Sequence, residues 1–291
     1  MLIRALPGTN RKNLRDTLRD LRIKVSNLRG GRAGRTTMDV LSAYLQWANE
    51  AARALHNQVS ASDVDRLVLT RRYELLLAAT GRLEPDRADA AINALVSTEL
   101  DERTAAFEEV CQALERQIER WSGLELFVVL DTNVFLEHPQ KLEELDLASI
   151  VGIRGEPIRV LVPIVVIDEL DGLKQHRDRK VRWRAGYTLA VLDRVLPRPT
   201  AVGRLRDEDF SALSSGGIPS GEISVEVLFD PPGHVRLPIN DDEIIDRALA
   251  VVPLAARNVT LVTYDTGQCM RARAVGLHAK KLSKPPEEEP E

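Results

Sequence analysis

The chain has 291 residues, 44% hydrophobic and 29% charged, with a formal net charge of −4. That composition is globular, long enough for one or two domains with a core of their own, and excludes a disordered chain. Its two cysteines, Cys111 and Cys269, are far apart and lack metal-ligand spacing, which excludes a disulfide framework and fits a reducing cytoplasm.

No apolar run approaches the ~20 residues of a membrane span. The start, "MLIRALPGTNRKN", has no extended apolar core with a small-residue cleavage site, so no signal peptide is expected. Residues 1–36 carry ten Arg/Lys against two Asp, and the chain ends in "PPEEEPE". The acidic end, 285–291, is expected to be disordered.

Residues 1–122 read as an all-helical module of about five elements. Leu14, Leu18, Leu21, Val25 and Leu28 recur at three- and four-residue steps, and Gly30-Gly31 supplies the stop. Thr36 or Thr37 caps the next helix, through "MDVLSAYLQWANEAARALHNQV". In "SASDVDRLVLTRRYELLLAATG", Ser62 and Asp65 form an approximate capping box, and Gly81 ends the element. "DRADAAINALVS" and "DERTAAFEEVCQALERQIERW" make two further helices.

From Gly123 the pattern changes. The short Val/Ile/Leu runs "LFVVL", "IRVLVPI", "ISVEVLF" and "NVTLVTY" are interleaved with helical stretches. This predicts an α/β unit over 123–284, a parallel sheet between two helical layers. Gly203–Gly221 and "DPPGHVRLPIN" read as loops.

Acids stand at or just beyond the carboxyl ends of these strands, where open parallel sheets concentrate their chemistry. Asp131 closes "LFVVL", Glu169 lies on the helix after "IRVLVP", Asp241 and Asp242 start "DDEIIDRALAVV", and Asp265 closes "NVTLVTY". Singly, each is equally explained as a helix cap or a solvated helix residue. Helix geometry separates them: Glu169 sits at the edge of the stripe Val166, Leu170 and Leu173, while Asp168 and Asp171 point away. Asp241 extends the stripe Ile244, Ile245, Ala248 and Leu249 by one turn, Asp242 lies at its margin, and Asp246 faces solvent.

Carboxylates gathered at one edge repel, and a divalent cation removes that penalty. Oxygen-only ligands select hard ions, Mg²⁺ or Mn²⁺. The five histidines are scattered, which disfavours zinc. Such ions can activate water, stabilise a leaving oxygen and bind the phosphate of a diester.

"VLDTNVFLEHP", "VPIVVIDELDGLK", "NDDEIIDRAL" and "VTLVTYDTGQCMRARAVGL" resemble, in order and spacing, the four motifs of PIN-domain ribonucleases. The resemblance spans about Leu124–Leu282 and leaves the helical module outside it. It implies catalytic and metal-binding roles for Asp131, Glu169, Asp241 and Asp265, with Asp242 as an adjacent metal ligand. It also implies Asn133 and Thr263 as polar neighbours orienting the carboxylates, and Mg²⁺- or Mn²⁺-dependent hydrolysis of single-stranded RNA. The long second motif with "ELDGLK" looks closer to the larger PIN domains, including those fused to PhoH-type ATPases, although no Walker A motif occurs in this chain.

A nuclease must also hold a polyanion. "KQHRDRKVRWR" offers Lys174, Arg177, Arg179, Lys180, Arg182 and Arg184 as an RNA-binding rim, with Trp183 as a stacking platform. The alternative is a solvated helix start with a buried tryptophan. The Arg-rich N-terminal segment is a second candidate RNA contact. Two rival functions stay open: a catalytically silent scaffold whose helical module binds a protein partner or self-associates, and a DNA-directed, structure-specific nuclease.

Overall fold

The computed structural model describes residues 3–31, 34–80 and 89–283. The acidic end lies outside them. The chain divides into two compact units, Met1–Ser122 and Gly123–Glu291.

The first unit is helical: α1 (Arg11–Gly30), α2 (Thr37–Leu55), α3 (Ala61–Leu67), α4 (Arg71–Ala79) and α5 (Asp89–Arg120). The leucine stripe of α1 is buried at Leu14, Leu18, Leu21 and Val25, and α1 packs chiefly on α5. Thr36 and Asp39 close a full capping box on α2.

The partition of the later helices differs from the expected one. The third element is two helices, because Ser60, not Ser62, caps α3 and Thr70 caps a fresh start at α4. The last two elements are one 32-residue helix, since the run from Ser97 to Asp101 contains no glycine or proline to break it.

The basic excess of the N-terminal segment is largely spent inside this unit. On α1, Arg19, Arg22 and Arg29 pair with Glu115, Glu108 and Asp101 of α5, each at 2.5 Å. Arg15 and Lys24 pair along their own helix with Asp16 and Asp20. The segment therefore presents less free positive charge than its composition suggests.

The second unit is a six-stranded sheet in the order β3-β4-β2-β1-β5-β6: β1 (Leu126–Leu130), β2 (Ile158–Pro163), β3 (Gly203–Arg206), β4 (Ile223–Leu228), β5 (Val259–Thr263) and β6 (His278–Lys281). All neighbours pair in parallel except the edge pair β3–β4. The inner strands are buried almost throughout, as continuous apolar runs require when both faces are covered.

The intervening helices are α6 (Thr132–Glu137), α7 (Leu147–Val151), α8 (Ile164–Leu173), α9 (Arg179–Val195), α10 (Asn240–Ala255) and α11 (Thr266–Ala274). The expected loop 203–221 contains edge strand β3 and a 3₁₀ turn at Ser211–Ser215. Gly203 is needed there, because a Cβ would fall 2.4 Å from the Val195 carbonyl oxygen.

From β1 the chain moves to β2 and β4 on one side, then returns through α10 to β5 on the other side of β1. The direction of winding therefore reverses between β1 and β5, and a crevice opens at their carboxyl ends. Among the described residues, no helix is long and apolar enough to cross a membrane.

The helical unit is pinned by Glu99, which is wholly buried. It takes Arg72 at 2.9 Å, Arg103 at 3.0 Å, and the hydroxyls of Thr70 and Tyr44 at 2.9 and 3.1 Å. Removing Glu99 would leave the buried Arg103 guanidinium and Tyr44 hydroxyl without their shared carboxylate. Glu99→Ala is expected to lower unfolding free energy by about 3 kcal/mol, read by urea denaturation followed at far-UV circular dichroism; a loss below about 1 kcal/mol would show the cluster to be solvated instead.

Candidate metal centre

Asp131 follows β1 directly, and its backbone N–H still bonds to Val262 of β5 at 3.1 Å. Its side chain caps α6, with Oδ1 accepting from the Thr132 N–H at 2.8 Å. Oδ2 accepts from the Thr263 hydroxyl at 2.9 Å. Capping and site geometry therefore coexist in one carboxylate.

Thr263 is itself fixed. Its oxygen accepts from the Asp265 N–H at 2.9 Å and from Asn133 Nδ2 at 3.4 Å, while Asn133 Oδ1 accepts from the Tyr264 N–H. Asn133 and Thr263 thus tie the ends of β1 and β5 together. Asp265 caps α11 through the Gln268 N–H at 2.7 Å and is exposed to solvent.

Glu169 reaches the crevice from α8. Its oxygens take Asn240 Nδ2 at 2.7 Å and the Thr132 hydroxyl. On α10, Asp241 takes Arg271 at 2.7 Å, and Asp242 takes the same guanidinium at 2.9 Å. Gln268, wholly buried, lies between two of the acids: Nε2 is 3.4 Å from Asp131 and 3.5 Å from Asp241. Its own Oε1 is buried without a hydrogen-bond partner.

The electrostatics of Asp131 and Asp241 are coupled to those of neighbouring acids. Burial pushes the Asp131 carboxyl up to about 6; Thr263 opposes the shift, and the charge of Asp241 adds to it. Asp241 is also raised, first by burial, against the pull of Arg271, and then by Asp265 and Glu169. All four expected acids therefore enter one electrostatic neighbourhood, while Asp242 stands at its rim, held by arginine.

The donor set is oxygen-only and anionic, and an amide and a guanidinium stand among the charges where a cation is wanted. A hard divalent ion fits these residues. They are not drawn tight: among the described residues, no three of these acids bring oxygens within 4.8 Å of one another.

The trio that does meet that distance is Asp230, His234 and Glu243, which the sequence reading did not connect. Here His234 Nε2 lies 2.7 Å from Glu243, whose other oxygen accepts from the Leu237 N–H. Arg247 binds both His234 and Glu243, and Arg236 binds Asp230. Two arginines already balance the acids, so the trio anchors the loop 230–239 onto α10. Asp246, expected to face solvent, is half-buried and paired with Arg247.

The basic rim requires a correction. Arg184 is not a phosphate contact: it is buried and donates to the carbonyls of Phe135, His138 and Gln140. Arg182 donates to the carbonyls of His176 and Arg177, and Lys174 pairs with Asp171 at 2.6 Å. Arg177, Arg179 and Lys180 are exposed, and their side chains make no hydrogen bond or ion pair among the described residues. Trp183 is 52% exposed, not buried, and stacks on Tyr187 with ring centroids 5.2 Å apart. Lys141 lies over the other ring of that pair, and Glu143 accepts from the Tyr187 hydroxyl.

The sequence profile of the PIN domain family matches residues 128–283. The chain belongs to the PIN-domain family. Members are generally metal-dependent nucleases that act on nucleic acids, typically through divalent ions. Among solved structures, "a domain of a functionally unknown protein from Methanocaldococcus jannaschii DSM 2661" is similar at 16% identity, over 57% of this chain and 96% of that one, with a TM-score of 0.33. No curated protein matches the chain.

The raised Asp131 carboxyl has a consequence for stability. Its ordinary value is 3.8, so the metal-free folded state binds the proton more tightly than the unfolded chain. Stability is therefore lost as pH rises from about 4 to about 6, and above that the cost is constant. Asp131→Asn keeps the cap acceptor and removes the charge. With EDTA at pH 7.5, the variant is expected to be more stable than wild type by roughly 1–2 kcal/mol, and the advantage should vanish at pH 4. Equal destabilisation at both pH values would contradict the account.

Proposed function

We propose that this protein is a ribonuclease that hydrolyses phosphodiester bonds in single-stranded RNA with Mg²⁺ or Mn²⁺. Asp131, Glu169, Asp241 and Asp265 would hold the metal. When bound, such ions supply activation of water, stabilisation of the leaving oxygen and neutralisation of phosphate charge. The single observation that carries this reading is the oxygen-only crevice at the winding reversal, where Asp131 and Asp241 share the Gln268 amide.

The chain's own residues prepare that crevice. Thr263 and Asn133 fix the direction of the Asp131 carboxylate, and Thr132 and Asn240 fix Glu169. These bonds limit the reorganisation needed when an ion arrives, the role outer hydrogen bonds have in metal sites generally. Burial of Asp131 keeps water from screening its charge.

Single-stranded RNA is favoured over a duplex by the Trp183–Tyr187 shelf. Trp183, half-exposed and stacked on the half-buried Tyr187, offers a π-face to an unpaired base, which a paired base cannot use. Arg177, Arg179 and Lys180 beside it supply backbone neutralisation without sequence readout.

The test is cleavage of an end-labelled single-stranded RNA, with a DNA oligonucleotide of the same sequence alongside. Mn²⁺ should support RNA cleavage, EDTA should stop it, and Asp131→Asn should reduce it by more than about a hundredfold with an unchanged circular dichroism spectrum. Cleavage that survives the substitution or the chelator defeats the mechanism; preference for DNA defeats the substrate.

Binding is tested separately in the inactive Asp131→Asn background. Trp183→Ala should weaken RNA affinity about tenfold by fluorescence anisotropy. Changing Arg177, Arg179 and Lys180 together to Gln should lower the slope of log K against log salt by up to about 2. Unaltered affinity and slope would remove this face from the RNA path.

A further inference from the structure

Arg271 is the residue of the crevice for which the four-acid scheme has no use. It lies on the second turn of α11, six positions after Asp265. Its Nη2 donates to Asp241 Oδ2 at 2.7 Å and its Nε lies 2.9 Å from Asp242 Oδ1. The third nitrogen, Nη1, has no hydrogen bond among the described residues. The arginine side chain is 44% exposed, so it can leave Asp241 without opening the core.

Both oxygens of Asp241 have donors nearby, Arg271 on one and Gln268 on the other. A divalent ion that takes Asp241 competes with these donors for its lone pairs, and it repels the guanidinium beside it. Of the two, the arginine is the charged and exposed one. Displaced, it would retain the Nε contact with Asp242, while Nη1 and Nη2 would form the two-pronged face that matches two phosphate oxygens.

Resting on the metal-site reading above, we propose that Arg271 is an exchangeable cation: it competes with the divalent ion for Asp241 and, once displaced, becomes the phosphate clamp for the nucleic acid. Asp242 is then the anchor of that clamp and not a metal ligand. Metal and nucleic acid become linked ligands, since the first frees the group that binds the second. No bond is made or broken in this step; one ion pair is exchanged for another.

The experiment uses the full chain and two binding measurements. Mn²⁺ affinity is read by titration calorimetry, without nucleic acid. Affinity for a 2′-O-methyl phosphorothioate RNA oligonucleotide is read by anisotropy, with and without Mn²⁺. Arg271→Gln should bind Mn²⁺ roughly five- to tenfold more tightly than wild type and should lose the gain in oligonucleotide affinity that Mn²⁺ gives wild type. Arg271→Lys, a point charge without the fork, should keep the competition and lose most of that gain.

Mn²⁺ binding by Arg271→Gln that equals or falls below wild type overturns the proposal, as does an undiminished oligonucleotide gain. Asp131→Asn separates the two levels. If it binds Mn²⁺ as wild type does, the metal-site reading fails and takes this proposal with it. If it loses Mn²⁺ while Arg271→Gln behaves as wild type, only the role of Arg271 fails.

Discussion

Carboxylates do not share a half-dry crevice without compensation, and most features of the second unit follow from how that compensation is arranged. Desolvation and mutual repulsion both raise the free energy of the ionised form. The protein answers with fixed dipoles and one exposed positive charge. Hydroxyls of Thr132 and Thr263, the amides of Asn240 and Gln268, and the Arg271 guanidinium each stand against an acid. At Asp131 burial outweighs them, and the carboxyl remains shifted up to about 6 despite three hydrogen bonds. A site left in that condition is costly as structure and useful as a receptor for a cation.

The sheet explains why these acids can meet although they are spread over more than 130 residues. Strands β1 and β5 are adjacent and parallel, so their next residues emerge side by side at one edge. Two helices then bring the other acids to the same edge. Because β2 runs into α8 without a loop, Glu169 stands less than two helical turns from the strand end. The α10 helix begins at Asn240, so Asp241 lies in its first turn, facing the strand ends from across the crevice. Rigid elements, not loops, fix all of these positions.

Much of this was legible in the sequence because burial leaves a periodic trace. Apolar runs ending in aspartate gave β1 and β5, and the helical stripe through Ile244 and Ala248 singled out Asp241. What the sequence concealed were groups whose role depends on a partner elsewhere in the chain. Gln268 and Arg271 read as ordinary residues of a short helix, yet one is wholly buried and the other bridges two acids. Glu243 sits among solvated-looking acids and is the most buried of them, because His234 and Arg247 come to it. Strand β6, "HAKK", is too polar for any pattern to reveal and is held by its ladder to β5. In the first unit, helix ends turned on which hydroxyl caps, a choice between Ser60 and Ser62 that composition leaves equal.

Arg184 shows why counting charges misjudges a binding surface. In "KQHRDRKVRWR" it is one of six cations, but the turn of α9 carries it inward, where it donates to one carbonyl of α6 and two just after that helix. The Phe135 carbonyl is buried beyond the reach of water, so the guanidinium is worth more there as a structural donor than as a surface charge. The same turn places Trp183, its neighbour, outward. Arg184 and Ala185 together face inward, which leaves Trp183 on the outer side of the helix, successive residues being about 100° apart. On the proposed reading, the free cations of the segment would be Arg177, Arg179 and Lys180, and the exposed Trp183 would make it discriminate by strandedness more than by charge.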